Sequence, residues 1–93
     1  MHRECTPAER ERLNKLVEEC SEVIKVAAKI LNHGYDTEFA GVHYNNRADL
    51  ERELGDVGAA MRLMTRRGDI DHRQITKARR AKLPVITKYM RHQ

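Results

Sequence analysis

A chain of 93 residues with a formal net charge of +4 is enough for one small domain and too short for two. Its few aromatics, Tyr35, Phe39, Tyr44 and Tyr89 with no Trp, argue against a β-sandwich, while the abundance of Leu, Ala, Glu, Lys and Arg suits helices. No apolar run is long enough to span a bilayer, the opening Met-His-Arg-Glu-Cys lacks a signal-peptide core, and Cys5 and Cys20 form no CxxC pair. The expectation is therefore a protein of a reducing cytoplasm, with no membrane span and no thiolate zinc site.

Thr6-Pro7-Ala8-Glu9 opens the first helix: Thr6 caps it, Pro7 suits the first turn and Glu9 closes a capping box. The spacing predicts a helix to about Asn32, roughly seven turns, with His33-Gly34 as the stop. On a wheel of about 100° per residue, Leu13, Leu16, Val17, Cys20, Val23, Ile24, Val26, Ala27, Ile30 and Leu31 form one broad apolar arc. Cys20 in that arc is expected to be a buried free thiol, and Cys5 an exposed one. Glu19 falls inside the arc and Glu22 at its edge, with Glu18, Lys25 and Lys29 on the neighbouring polar side. A carboxylate inside an apolar arc is costly to bury unless it is paired or binds metal.

The segment 34–45, with two glycines, three aromatics and His43, loses the helical period and reads as a loop. Asn46-Arg47-Ala48-Asp49 opens the second helix, with Asn46 as the expected cap. Its core stripe is Leu50, Leu54, Val57, Met61 and Met64, with Ala60 beside them. Glu53 sits within this stripe and Asp56 at its edge, repeating the arrangement of Glu19 and Glu22. Gly55 and Gly58 in the helix interior are read as places of close approach, since each costs roughly 1 kcal/mol relative to Ala. This helix ends near Arg66-Arg67-Gly68.

A third start follows at Asp71, with Gln74 expected to close a capping box. Ile75, Ala78, Val85, Ile86 and Tyr89 are its apolar positions, and Pro84 is expected to end or kink it after about Lys82, with a further helical stretch to about Met90. From His72 onward there is no acidic residue, but seven basic ones: Arg73, Lys77, Arg79, Arg80, Lys82, Lys88 and Arg91. Such a segment suits a polyanionic partner, either nucleic acid or the phosphates of a small molecule.

Two carboxylates three apart share one helix face, and two such pairs on adjacent antiparallel helices can surround a cation. An all-oxygen site suits Mg2+ or Mn2+, and Mg2+ commonly binds through few carboxylates plus substrate phosphates. Lys25 and Lys29 follow Glu22 by one and two turns, in reach of such phosphates. Taken singly, each acid is an ordinary surface charge; two pairs intruding on two apolar arcs are less easily read so. No glycine-rich phosphate loop and no HExxH are present, and His33, His43, His72 and His92 make no spaced metal motif.

Glu18-Glu19-x-x-Glu22 followed by Glu53-x-x-Asp56 resembles the EExxE…ExxD signature of the MazG-like all-α nucleoside triphosphate pyrophosphohydrolases. The stretches Lys29–Tyr35, Asn46-Arg47, Glu51–Val57 and Gly68-Asp69-Ile70, with the tail Tyr89-Met90-Arg91-His92-Gln93, are similar to compact phage and bacterial members. The resemblance implies one MazG-like domain over 1–93, an antiparallel bundle of three to four helices completed by oligomerisation, as a homodimer or homotetramer. It implies conversion of a nucleoside triphosphate to monophosphate and pyrophosphate with Mg2+ or Mn2+, with dGTP or GTP favoured. By matching positions, Glu19, Glu22, Glu53 and Asp56 would be metal ligands. Glu18, Glu22 and Glu53 would carry catalysis, Glu18 as a supporting acid that binds a further metal or orients the attacking water. Lys29, Lys82 and Lys88 would meet phosphates, and Asn32, His33 and Asn46 the sugar or base. One departure, Gly58-Ala59-Ala60 after Val57 where many relatives carry bulky apolar residues, prevents base preference from being carried over. The runner-up reading is a basic helical nucleic-acid-binding protein. It ranks lower because no recognisable binding motif is present and it leaves the acids unexplained.

Overall fold

A computed structural model describes residues 3–37 and 45–93. Most of the loop read over 34–45, with Phe39, His43 and Tyr44, lies outside them. The described residues are helical and contain no strand: α1 (Pro7–His33), α2 (Asn46–Arg66) and α3 (His72–Lys88). No helix among them is long and apolar enough to cross a membrane.

The start of α1 is built as its sequence dictates. Thr6 Oγ1 accepts from the Glu9 amide at 3.1 Å, and Glu9 Oε1 accepts from the Thr6 amide at 2.7 Å. The Thr6 amide first, then the Arg3 guanidinium, holds the Glu9 carboxyl down at about 2. At the far end Gly34 adopts φ 85°, ψ 170°, a conformation essentially confined to glycine, and its amide closes on the Ile30 carbonyl. The α2 cap is one residue earlier than expected: Asn45 Oδ1 accepts from the Ala48 amide at 3.2 Å. Asn46 is instead the first helical residue and is fully buried, its Nδ2 donating to the Gly34 carbonyl at 2.8 Å. The start of α2 is thereby pinned to the end of α1. At the other end of α2, the Gly68 amide donates to the Thr65 carbonyl and the Asp69 amide to the Met64 carbonyl, a Schellman closure with Gly68 at φ 80°.

Arg12 near the start of α1 forks onto Asp69 just past α2, at 2.5 and 2.8 Å. With the Asn46–Gly34 bond at the opposite end, this sets α1 and α2 antiparallel. Along their seam Leu16, Val23, Val26, Ala27 and Ile30 of α1 are half-buried, and so are Leu50, Val57 and Met61 of α2. Ala60 and Met64 are the buried apolar residues among those described.

Several expectations fail at this level. Cys20 is exposed, and so are Leu13, Val17, Ile24 and Leu31, because the α1 arc is wider than one helix can cover. Leu54 of the expected α2 stripe is 51% exposed. Gly55 and Gly58 approach nothing: a Cβ at either would meet open space. The Asp71 side chain caps α3 through the Arg73 amide at 2.9 Å and binds the Arg73 guanidinium, where a box with Gln74 was expected. α3 also runs through Pro84 without ending. The lost hydrogen bond is tolerable there because Arg80, whose carbonyl it would have engaged, lies on an exposed face open to water.

α3 has no buried residue, and close packing of helix on helix is confined to α1 and α2. The radius of gyration is 16.8 Å, against about 12 Å for a compact chain of this length. Within one chain α1 and α2 form a packed pair, and α3 follows them with no buried residue of its own.

Candidate metal centre

The antiparallel seam brings Glu19 of α1 beside Glu53 and Asp56 of α2, with one carboxylate oxygen from each lying within 4.8 Å of the others. Glu19 and Glu53 are each 13% exposed at the side chain, and Asp56 is open to solvent. Lys15 reaches Glu19 at 3.4 Å and Arg52 reaches Glu53 at 3.6 Å. The Glu18 charge first, and the Glu19 hydrogen bond second, hold the Lys15 ammonium above the usual lysine range. Three carboxylates against two local cations leave an excess of negative charge and hard oxygen donors, a set that fits Mg2+ or Mn2+.

A cleft opens on each side of the cluster. The first, about 300 Å³, is lined by Glu22, Lys25, Val26 and Lys29 of α1 and by Asp49, Arg52 and Glu53 of α2. Glu19 and Asp56 line the second, together with Lys15, Ala59, Ala60 and Leu63. Glu22 therefore stands outside the three-carboxylate group but shares the first cleft with Glu53, and its carboxylate lies 3.9 Å from Lys25. Glu18 is exposed and paired with Lys15 at 3.5 Å.

The remaining sequence candidates are scattered. Lys25 and Lys29 do share the first cleft with acids, as their spacing predicts. His33 ends α1, exposed, and its carbonyl accepts from the Thr37 hydroxyl. Asn46 is committed to Gly34 through Nδ2, while its buried Oδ1 has no hydrogen-bond partner among the described residues. Lys82 and Lys88 lie on α3, whereas the described residues lining both clefts all come from α1 and α2.

Sequence reasoning overlooked Asp49, which is 8% exposed and held by Arg52 at 2.8 Å. It lies one turn before Glu53 on the same face, so the series Asp49, Glu53, Asp56 was readable as an acidic row. No family model matches this chain, and no curated protein or solved structure matches it.

Proposed function

We propose that this protein is a metal-dependent nucleotide pyrophosphohydrolase, converting a nucleoside triphosphate to its monophosphate and pyrophosphate. The observation that carries the reading is the convergence of Glu19, Glu53 and Asp56 from two helices onto one point, beside a cleft that also holds Lys25, Lys29 and Arg52. Glu19, Glu53 and Asp56 would hold Mg2+ or Mn2+, which when bound would polarise phosphate oxygens and lower the pKa of an attacking water. Glu22, across the first cleft, either completes the ligand set or takes the proton from the attacking water, with Glu18 in support. Lys25, Lys29 and Arg52 balance the phosphate charge. The resemblance to MazG-like enzymes supports the same reaction; base preference is not carried over from it, and a purine deoxynucleotide such as dGTP is the first substrate to try.

The working unit in this reading is a homodimer or homotetramer in a reducing cytoplasm, where Cys5 and Cys20 stay thiols. The exposed stripe of α1 and the uncovered α3 support assembly, since both are apolar surfaces that one chain leaves in water. Lys82 and Lys88 then reach phosphate from a neighbouring subunit, with His33 and Asn46 near the sugar or base.

The test is to incubate the protein with each ribo- and deoxynucleoside triphosphate plus Mg2+, and to resolve products by 31P NMR. Stoichiometric monophosphate and pyrophosphate are expected, lost on chelation and reduced at least ~100-fold in Glu53→Gln. Release of orthophosphate, or no turnover of any triphosphate, contradicts the proposal.

A further inference from the structure

Beyond the acidic seam, the most one-sided feature of the molecule is the charge of α3. From Arg66 to Gln93 the chain carries Arg66, Arg67, Arg73, Lys77, Arg79, Arg80, Lys82, Lys88 and Arg91 against two acids, Asp69 and Asp71. Both acids are already engaged, Asp69 by Arg12 and Asp71 by Arg73. On the helical wheel Arg73, Lys77 and Arg80 fall in one stripe opposite Ile75, Val85, Ile86 and Tyr89. All three cations are exposed, and with His72 and Thr76 they line a shallow concavity. Lys77 and Arg80 have no acidic partner among the described residues, so nothing described there neutralises their charge.

We infer that this stripe of α3 is a docking surface for the sugar-phosphate backbone of duplex nucleic acid. At about 1.5 Å of rise per residue, its cations step along the helix by about 6 and 4.5 Å. That is on the scale of the phosphate row of one DNA strand, one charge per roughly 3.4 Å of axis. Thr76 and His72 add donors of the kind that bind phosphate oxygens. The concavity contains no Tyr, Phe or Trp on which unstacked bases would pile, which favours duplex over single strand. A helix about 10–12 Å across that is not packed into a core is free to lie along a groove or a backbone. The stripe is separate from the acidic seam, and none of Arg73, Lys77 and Arg80 is assigned to the triphosphate, so this surface stands whether or not the hydrolase reading does.

Fluorescence anisotropy of a labelled 20-base-pair duplex with the full chain, in chelator at 50 to 200 mM NaCl, tests it. Three phosphate contacts predict a slope of log affinity on log salt of about −2.7, hence a loss of roughly 40-fold across that range. Lys77→Gln with Arg80→Gln flattens the slope to about −1 while leaving triphosphate turnover unchanged. Arg10→Gln with Arg62→Gln, exposed cations outside the stripe, leaves the slope as it was. The inference is overturned by no duplex binding at 50 mM salt, by tighter binding of the single strand, or by equal loss in both double variants. Sedimentation with anionic phosphatidylserine vesicles in place of duplex binding overturns it too.

Discussion

Lys15 and Arg52 each lie within ion-pair distance of a carboxylate that is largely shielded from water. They partly discharge the cluster, and a metal ion must compete with them. Lys15→Met is therefore expected to tighten Mn2+ binding by ~3-fold, the scale of a partly exposed ion pair. Isothermal titration checks this, and weaker binding would make Lys15 a support of the site. Glu9 sets a pH dependence at the same scale. Its carboxyl, held at about 2 in the folded chain, titrates near 4.5 when free, so the unfolded state binds the proton first as pH falls. The contribution is complete above about 4.5 and disappears on the way down to about 2. Asp69 and Asp71 are lowered too, by Arg12 and by the Arg73 amide, and act in the same direction. Thermal unfolding followed from pH 6 to pH 3 should show a falling Tm, with a shallower fall in Glu9→Gln.

Helix boundaries were legible because they depend on local chemistry: Thr6 with Glu9, glycine at 34 and 68, and aspartate at 71 act through their own backbone neighbours. Glu19 and Glu53 were legible because each interrupts an apolar period, and Asp56 because it follows Glu53 by three residues at the edge of the stripe. Asn46 was not, because its burial is made by the Gly34 carbonyl twelve residues away. Periodicity also marks which face of a helix avoids water and leaves open what covers it. Hence the arc of α1 read as one core, although Val17 is 67% and Ile24 69% exposed while Val23 and Val26 pack on α2. Pro84 leaves α3 unbroken for a similar reason: its penalty is about 3 kcal/mol, and an exposed helix that hydrates the freed carbonyl survives it. Two substitutions probe this scale. Met64→Ala, in the best-buried apolar position, is expected to destabilise by about 2–3 kcal/mol in denaturant unfolding. Gly58→Ala meets open space and should stabilise the isolated chain by about 0.5–1 kcal/mol. A loss of stability instead would place another subunit's helix against Gly58.

The whole molecule is an elongated body, 54 by 35 by 20 Å, with two buried apolar residues among those described. So small a core holds a chain of this length only marginally, which is the physical ground on which assembly is proposed. Analytical ultracentrifugation is expected to give a mass of two or four times 10.8 kDa, and Ile24→Glu, on the exposed stripe of α1, to shift it toward the single chain. Charge divides the molecule too: acids gather along the α1–α2 seam and cations along α3. The two proposals follow that division, with cation chemistry in the seam and polyanion contact on the arm.

Glu19, Glu53 and Asp56 are proposed to hold one divalent cation. Electron paramagnetic resonance of Mn2+ titrated into the protein measures this without any substrate. Saturable loss of the free-ion signal is expected in the wild type, and at least ~10-fold weaker binding in Glu53→Gln and Asp56→Asn, each with unchanged helix content. Mn2+ left free in the presence of the wild-type chain, or bound equally by both variants, would contradict it.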